Sequence, residues 1–142
     1  MFITGINSQG IAVTDILVWQ EDAGLVNAAL DRSTGLSTAT APYRQLMPQD
    51  INGDGITELP RPDSSVSDTK QADGMVFWEQ YRPDGLVTVE RTYHCLSGGW
   101  YFILPEDWTG DVTALTSDAG IGETQVTLSV QGEKALSICA LT

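Results

Sequence analysis

Residues 124–130 read TQVTLSV, with Val126, Leu128 and Val130 at alternate positions and Thr127 and Ser129 between them. An extended chain sends successive side chains to opposite faces, so this pattern buries one face of a strand and wets the other. Comparable runs surround it: MVFWEQY (75–81), LVTVERTYHCL (86–96), WYFIL (100–104), GDVTALTS (110–117) and ALSICAL (135–141). RPDG, SGG and QGEK separate several of them and supply the Pro and Gly that tight turns need. No long window places apolar residues at helical spacing; the nearest, LVNAALDR, is short and runs into Ser and Gly. The sequence therefore predicts a mainly β protein of antiparallel strands and hairpins, arranged as a meander or sandwich, with at most short helices. PEDW (105–108) is expected to form a single helical turn or a bend.

The first half repeats the theme less regularly. Residues 10–19, GIAVTDILVW, and 24–30, GLVNAAL, read as strands; 31–42 is a polar loop; YRQLMP (43–48) is a short strand candidate. Beyond Pro60 the stretch RPDSSVSDTKQAD lacks apolar periodicity and reads as a long loop from residue 61 to 73. The resulting organisation is a β segment over 1–62, a linker or long loop over 63–73, and an antiparallel meander over 74–142. The chain of 142 residues makes one ordinary domain or two small ones. Its start lacks the basic and apolar regions of a secretory leader, so either a cytoplasmic protein or an excised piece of a secreted one is expected. Its end falls directly after a strand-like run, so a piece of a longer protein is expected.

Charge removes several function classes. The formal net charge of -12, with no basic cluster, repels phosphate backbones and anionic lipid surfaces, so nucleic acid is not an expected partner. No apolar run approaches the roughly 20 residues that a membrane helix requires.

The chemistry is concentrated in DINGDGITELP, residues 50–60. A calcium ion takes six to eight oxygen ligands, which a short loop can offer from alternating side chains if glycine allows it to turn sharply. Asp50, Asn52 and Asp54 alternate, Gly55 follows, Ile56 offers a backbone carbonyl, and Glu58 stands ninth. An EF-hand instead places a bidentate Glu at the twelfth position and runs into a helix. Here the twelfth residue is Arg61, and Pro60 and Pro62 oppose a helix. The spacing thus predicts a calcium loop closed within nine residues, with Asp50, Asn52, Asp54, Ile56 and Glu58 as ligands.

This spacing resembles the calcium loops of FG-GAP and VCBS-type repeats, the blade hairpins of integrin-like β-propellers. The resemblance covers roughly residues 2–62. It departs at Asn52 in the third position and at Glu58, one methylene longer than Asp, in the ninth. GGWYFILPEDWTGDV in the second half looks loosely like the final part of Gram-positive bacterial surface lipoproteins that carry such repeats. The resemblance implies a calcium-binding module at the cell surface or outside the cell. One blade cannot close a propeller, so a complete propeller is not expected.

The remaining reactive residues point elsewhere. His94 is the only histidine, which excludes a multi-histidine zinc site, and its strand neighbour Cys95 faces the opposite side. There is no GxSxG and no phosphate-binding glycine loop. Cys95 and Cys139 are expected to be reduced and buried. Trp19, Trp78 and Trp100 are expected in the core, and Trp108, after Glu106 and Asp107, is the one more open to solvent. The reading is a non-enzymatic extracellular module with a structural calcium. The alternatives are a carbohydrate-binding module using Trp108 and Trp78, or the non-catalytic part of a larger secreted enzyme; another surface protein is a further expected partner.

Overall fold

The computed structural model describes residues 1–6, 12–37, 46–62, 73–96, 98–120 and 122–141. Within them the chain is all β, with no helix and neither a closed barrel nor a propeller. Three antiparallel sheets account for the strands. The first is β1 (Phe2–Ile6), β2 (Ala12–Gln20) and β3 (Gly24–Asn27), in that order. The second is β4 (Leu59–Pro62), β5 (Gly74–Arg82), β6 (Gly85–Cys95) and β7 (Trp100–Ile103). The third sets β9 (Glu123–Val130) between β8 (Val112–Gly120) and β10 (Glu133–Leu141). The periodicity of the second half therefore locates every strand there to within a few residues. No described helix is long and apolar enough to cross a membrane.

The turns carry the expected chemistry. Gln131 and Gly132 both have positive φ, 52° and 86°, between the paired residues Val130 and Glu133. Two left-handed residues give the turn whose twist matches that of a two-residue hairpin. PEDW closes as one turn, Trp108 N–H donating to the Pro105 carbonyl at 3.0 Å. The Arg91 guanidinium fastens that turn by donating to the carbonyls of Trp108 and Gly110.

The chain groups into two compact units, Met1–Asp63 with Val76–Glu90, and Ser64–Met75 with Arg91–Thr142. The β5–β6 hairpin thus groups largely with the first half of the chain, although its sequence reads as part of the meander. In the second unit Met75, Tyr93, Cys95, Leu104, Val126 and Leu128 form a buried cluster, with Trp100, Phe102 and Trp108 packed against it. Val126 and Leu128 are the inward positions that the TQVTLSV alternation marks. In the first unit the cluster is Ile51, Val76 and Trp78, with Leu46 beside it. This smaller core seats the acidic loop.

Several expectations are corrected. Trp19 is 74 % exposed rather than in the core. Residues 16–19 of β2 are apolar at both parities, and the sheet buries Thr14 and Ile16 while Trp19 falls on the opposite side, paired with Leu25. Trp108, expected to be the open one, is half-buried and lies 6.0 Å from the Phe102 ring centroid. Cys95 is buried, but Cys139 is exposed on β10, an edge strand. Leu46–Pro48 forms no strand; the rest of that candidate, 43–45, lies outside the described residues. Arg61 and Pro62 belong to β4 instead of the loop, and residues 63–72 lie outside the described residues. Pro60 and Pro62 are tolerated there because β4 is an edge strand, where alternate N–H groups have no partner to lose.

Candidate metal centre

A short neck defines the acidic loop. Gln49 and Glu58 exchange both backbone hydrogen bonds, at 3.1 and 2.9 Å, so residues 50–57 are forced to turn back on themselves. Ile51 anchors the turn, its side chain 7 % exposed against Val76 and Trp78, while 52–56 stand in solvent. Gly53 and Gly55 adopt φ of 78° and 84°, a left-handed geometry that side-chain-bearing residues resist.

Asp50 organises the interior of the turn. Its Oδ1 accepts the N–H groups of Gly53 and Asp54 at 2.7 and 3.1 Å, and its Oδ2 accepts Gly55 N–H at 2.9 Å. Asn52 Oδ1 accepts Asp54 N–H at 3.0 Å, and Asp54 Oδ1 accepts Ile56 N–H at 2.8 Å. That last bond is the largest influence on Asp54 and holds its carboxyl below the usual carboxylate range; the amides of Gln80 and Asn52 and the charge of Arg82 add to it. These contacts favour the ionised form, because each donor stabilises the carboxylate over the neutral acid.

Glu58 is fully buried. Its Oε2 accepts Ile51 N–H at 2.9 Å and its Oε1 accepts Gln80 Nε2 at 2.8 Å. The same Gln80 nitrogen donates to Asp54 Oδ2 at 2.7 Å, so one amide spans two carboxylates. Sheet register explains the meeting: Leu59 pairs with Glu79 and Pro60 with Trp78, and one further step sets Glu58 across from Gln80. On the neighbouring parity Arg61 binds Glu79 at 2.7 Å and lies over the Phe77 ring, so that carboxylate is already served by a cation.

Asp50, Asp54 and Glu58 bring one carboxylate oxygen each to within 4.8 Å of the others, and among the described residues no other such group of three metal-binding side chains forms. Three of the five expected ligands are therefore gathered. Asn52 and Ile56 share the loop, with Asn52 turned toward its own backbone. Gln80 was invisible to the loop pattern, being 22 residues from Glu58. Its signal is a polar residue at the parity of Val76 and Trp78, two buried apolar positions of β5.

The other reactive residues form no comparable site. His94 is buried and stacked on Tyr101 at 5.2 Å between centroids, and burial lowers its pKa. Glu106 and Asp107 are exposed in their turn. Trp78, proposed above as a sugar platform, is fully buried. No protein-family model, no curated protein and no solved structure matches the chain.

Proposed function

We propose that this chain is a non-enzymatic β module that binds calcium through residues 50–58 and uses the ion as a structural staple. The observation that carries the reading is the fully buried Glu58 carboxylate within 4.8 Å of Asp50 and Asp54. A buried carboxylate demands compensation, and the two exposed carboxylates beside Glu58 add like charge that a hard cation would offset together with it. Asp50, Asp54 and Glu58 are the charged ligands, with the Asn52 side-chain oxygen and the Ile56 carbonyl completing the set. Calcium suits the loop better than magnesium, which demands tight octahedral geometry and keeps its waters.

The spacing shared with FG-GAP and VCBS-type loops supports the same assignment. It also supports an extracellular or cell-surface setting, where modules with weak calcium sites are saturated. An ion that binds the folded chain alone stabilises it by about 2.7 kcal/mol at a hundredfold excess over its dissociation constant. Titration calorimetry with calcium tests the reading on wild type, Asp54→Ala and Glu58→Gln. Heat with wild type that falls sharply in both variants supports it; no heat in millimolar calcium, or equal heats for all three, refutes it.

Sugar binding is the second reading, and it now rests on the exposed indole of Trp19 rather than on Trp78 or Trp108. An open aromatic face stacks on the apolar face of a sugar ring. Loss of an oligosaccharide-induced fluorescence change in Trp19→Ala supports this reading, and no change in wild type removes it.

A further inference from the structure

We infer that Asn52 is a spontaneous modification site, ageing to aspartate and isoaspartate through a succinimide with Gly53, and that Asp50 restrains the reaction. Of the three asparagines in the chain, only Asn52 precedes glycine. Both Asn52 and Gly53 are exposed, and nothing lies within 4 Å of the place where a Gly53 Cβ would stand. No side chain at position 53 and no packed neighbour on that side crowds the ring; the contact that bears on the attacking nitrogen is the one to Asp50. The Asn52 side chain already curls along its own downstream backbone, accepting Asp54 N–H at 3.0 Å. That donor polarises the carboxamide carbonyl in the direction nucleophilic attack requires.

The steps balance with water as the only co-reactant. Gly53 N–H loses its proton to solvent hydroxide, and the nitrogen attacks Asn52 Cγ, forming a new N–Cγ bond. The Cγ–Nδ2 bond breaks, and the nitrogen leaves as ammonia with a proton from water. Water then opens the succinimide at either carbonyl, giving aspartate or, with one extra carbon in the backbone, isoaspartate. The leaving group is held only loosely, by a 3.4 Å contact from Nδ2 to Asp54 Oδ2.

Asn27 is an internal contrast. Its Nδ2 donates to Asp15 at 2.8 Å and to Ser37 at 3.0 Å, its Oδ1 accepts the N–H groups of Ile16 and Ala29, and it precedes an alanine. Its carboxamide is immobilised and its leaving group occupied. The restraint at Asn52 is different: Gly53 N–H, the group that must deprotonate, is donated to Asp50 Oδ1 at 2.7 Å. Forming an anionic nitrogen there breaks that bond beside the Asp50 carboxylate, and like charge opposes it. Either product alters the loop, aspartate by adding a carboxylate and isoaspartate by lengthening the backbone that Asp50 holds at three N–H groups.

The full chain is aged in mildly alkaline buffer, digested and mapped by mass spectrometry, with isoaspartate separated chromatographically. Wild type is compared with a urea-denatured sample and with Asp50→Ala, Asp50→Asn and Asn52→Gln. The expected result is conversion confined to Asn52 in the folded chain, with Asn27 intact. Conversion is several-fold faster in Asp50→Ala, intermediate in Asp50→Asn and absent at position 52 in Asn52→Gln. Protected β5 amides in hydrogen exchange establish that the Asp50 variants are folded. Folded wild type that stays unconverted while the denatured sample converts overturns the site. Asn27 converting alongside Asn52 overturns it too, and equal rates in wild type and folded Asp50→Ala overturn the restraint.

Discussion

Gln80 is the residue through which β5 holds the acidic loop, and Gln80→Leu is the substitution that isolates it. The amide donates one nitrogen to Glu58 Oε1 at 2.8 Å and to Asp54 Oδ2 at 2.7 Å, and its residue is 5 % exposed. Leucine keeps the apolar volume and removes the donor. Glu58 is then left with Ile51 N–H alone among these two partners while remaining fully buried. A hydrogen bond to a charged group contributes about 1.5–3 kcal/mol, and an abandoned buried acceptor costs its desolvation. Asp54 stands in solvent, so water replaces its lost partner and the Glu58 bond sets the magnitude. Gln80→Leu should therefore lower stability by about 2–3 kcal/mol without calcium. Urea unfolding followed by circular dichroism in chelator measures this, the unchanged slope showing that the same surface is exposed. Saturating calcium should shrink the deficit, because the ion then compensates Glu58. A loss within about 0.5 kcal/mol in chelator, the usual range for a surface change, would refute the role given to Gln80.

Three further outcomes follow from other parts of the molecule. Native thiol titration should label Cys139 and spare Cys95, and denaturation should release both; rapid native labelling of Cys95 contradicts its burial. Gly55→Ala should cost about 1–2 kcal/mol, because a φ of 84° sets its Cβ against the backbone, and an unchanged urea midpoint contradicts that geometry. His94 is held below the ordinary histidine value of 6.5 by burial, so below that pH the unfolded chain takes up a proton that the folded chain refuses. Stability should therefore fall as pH drops from 6.5 toward the lowered folded value. His94→Gln should flatten this part of the stability profile, and an equal slope in both proteins refutes the assignment.

Much of the fold was legible because antiparallel strands with one dry face write their period directly into the chain. Val126, Leu128, Trp78 and the RPDG turn needed nothing beyond local alternation and glycine. The loop was legible for a similar reason, since Asp50, Asp54 and Glu58 are close in sequence and are brought together by local turning. Where apolar residues occupy both parities, as at Ile16, Leu17, Val18 and Trp19, alternation gives no choice of face. Burial then depends on what the sheet packs against, and the structure buries Thr14 and leaves Trp19 in solvent. Cys139 is exposed on the edge strand β10, and whether anything covers that face is not written in the strand's own pattern. Gln80 shows the same division most clearly. Its polarity at a core parity is visible in the sequence, but its purpose comes from the β4–β5 register, which carries it across 22 residues to the carboxylate of Glu58. Local periodicity determined the strands and the turn of the loop; long-range pairing decided which side chains close the site, because only the register brings distant residues within hydrogen-bonding distance.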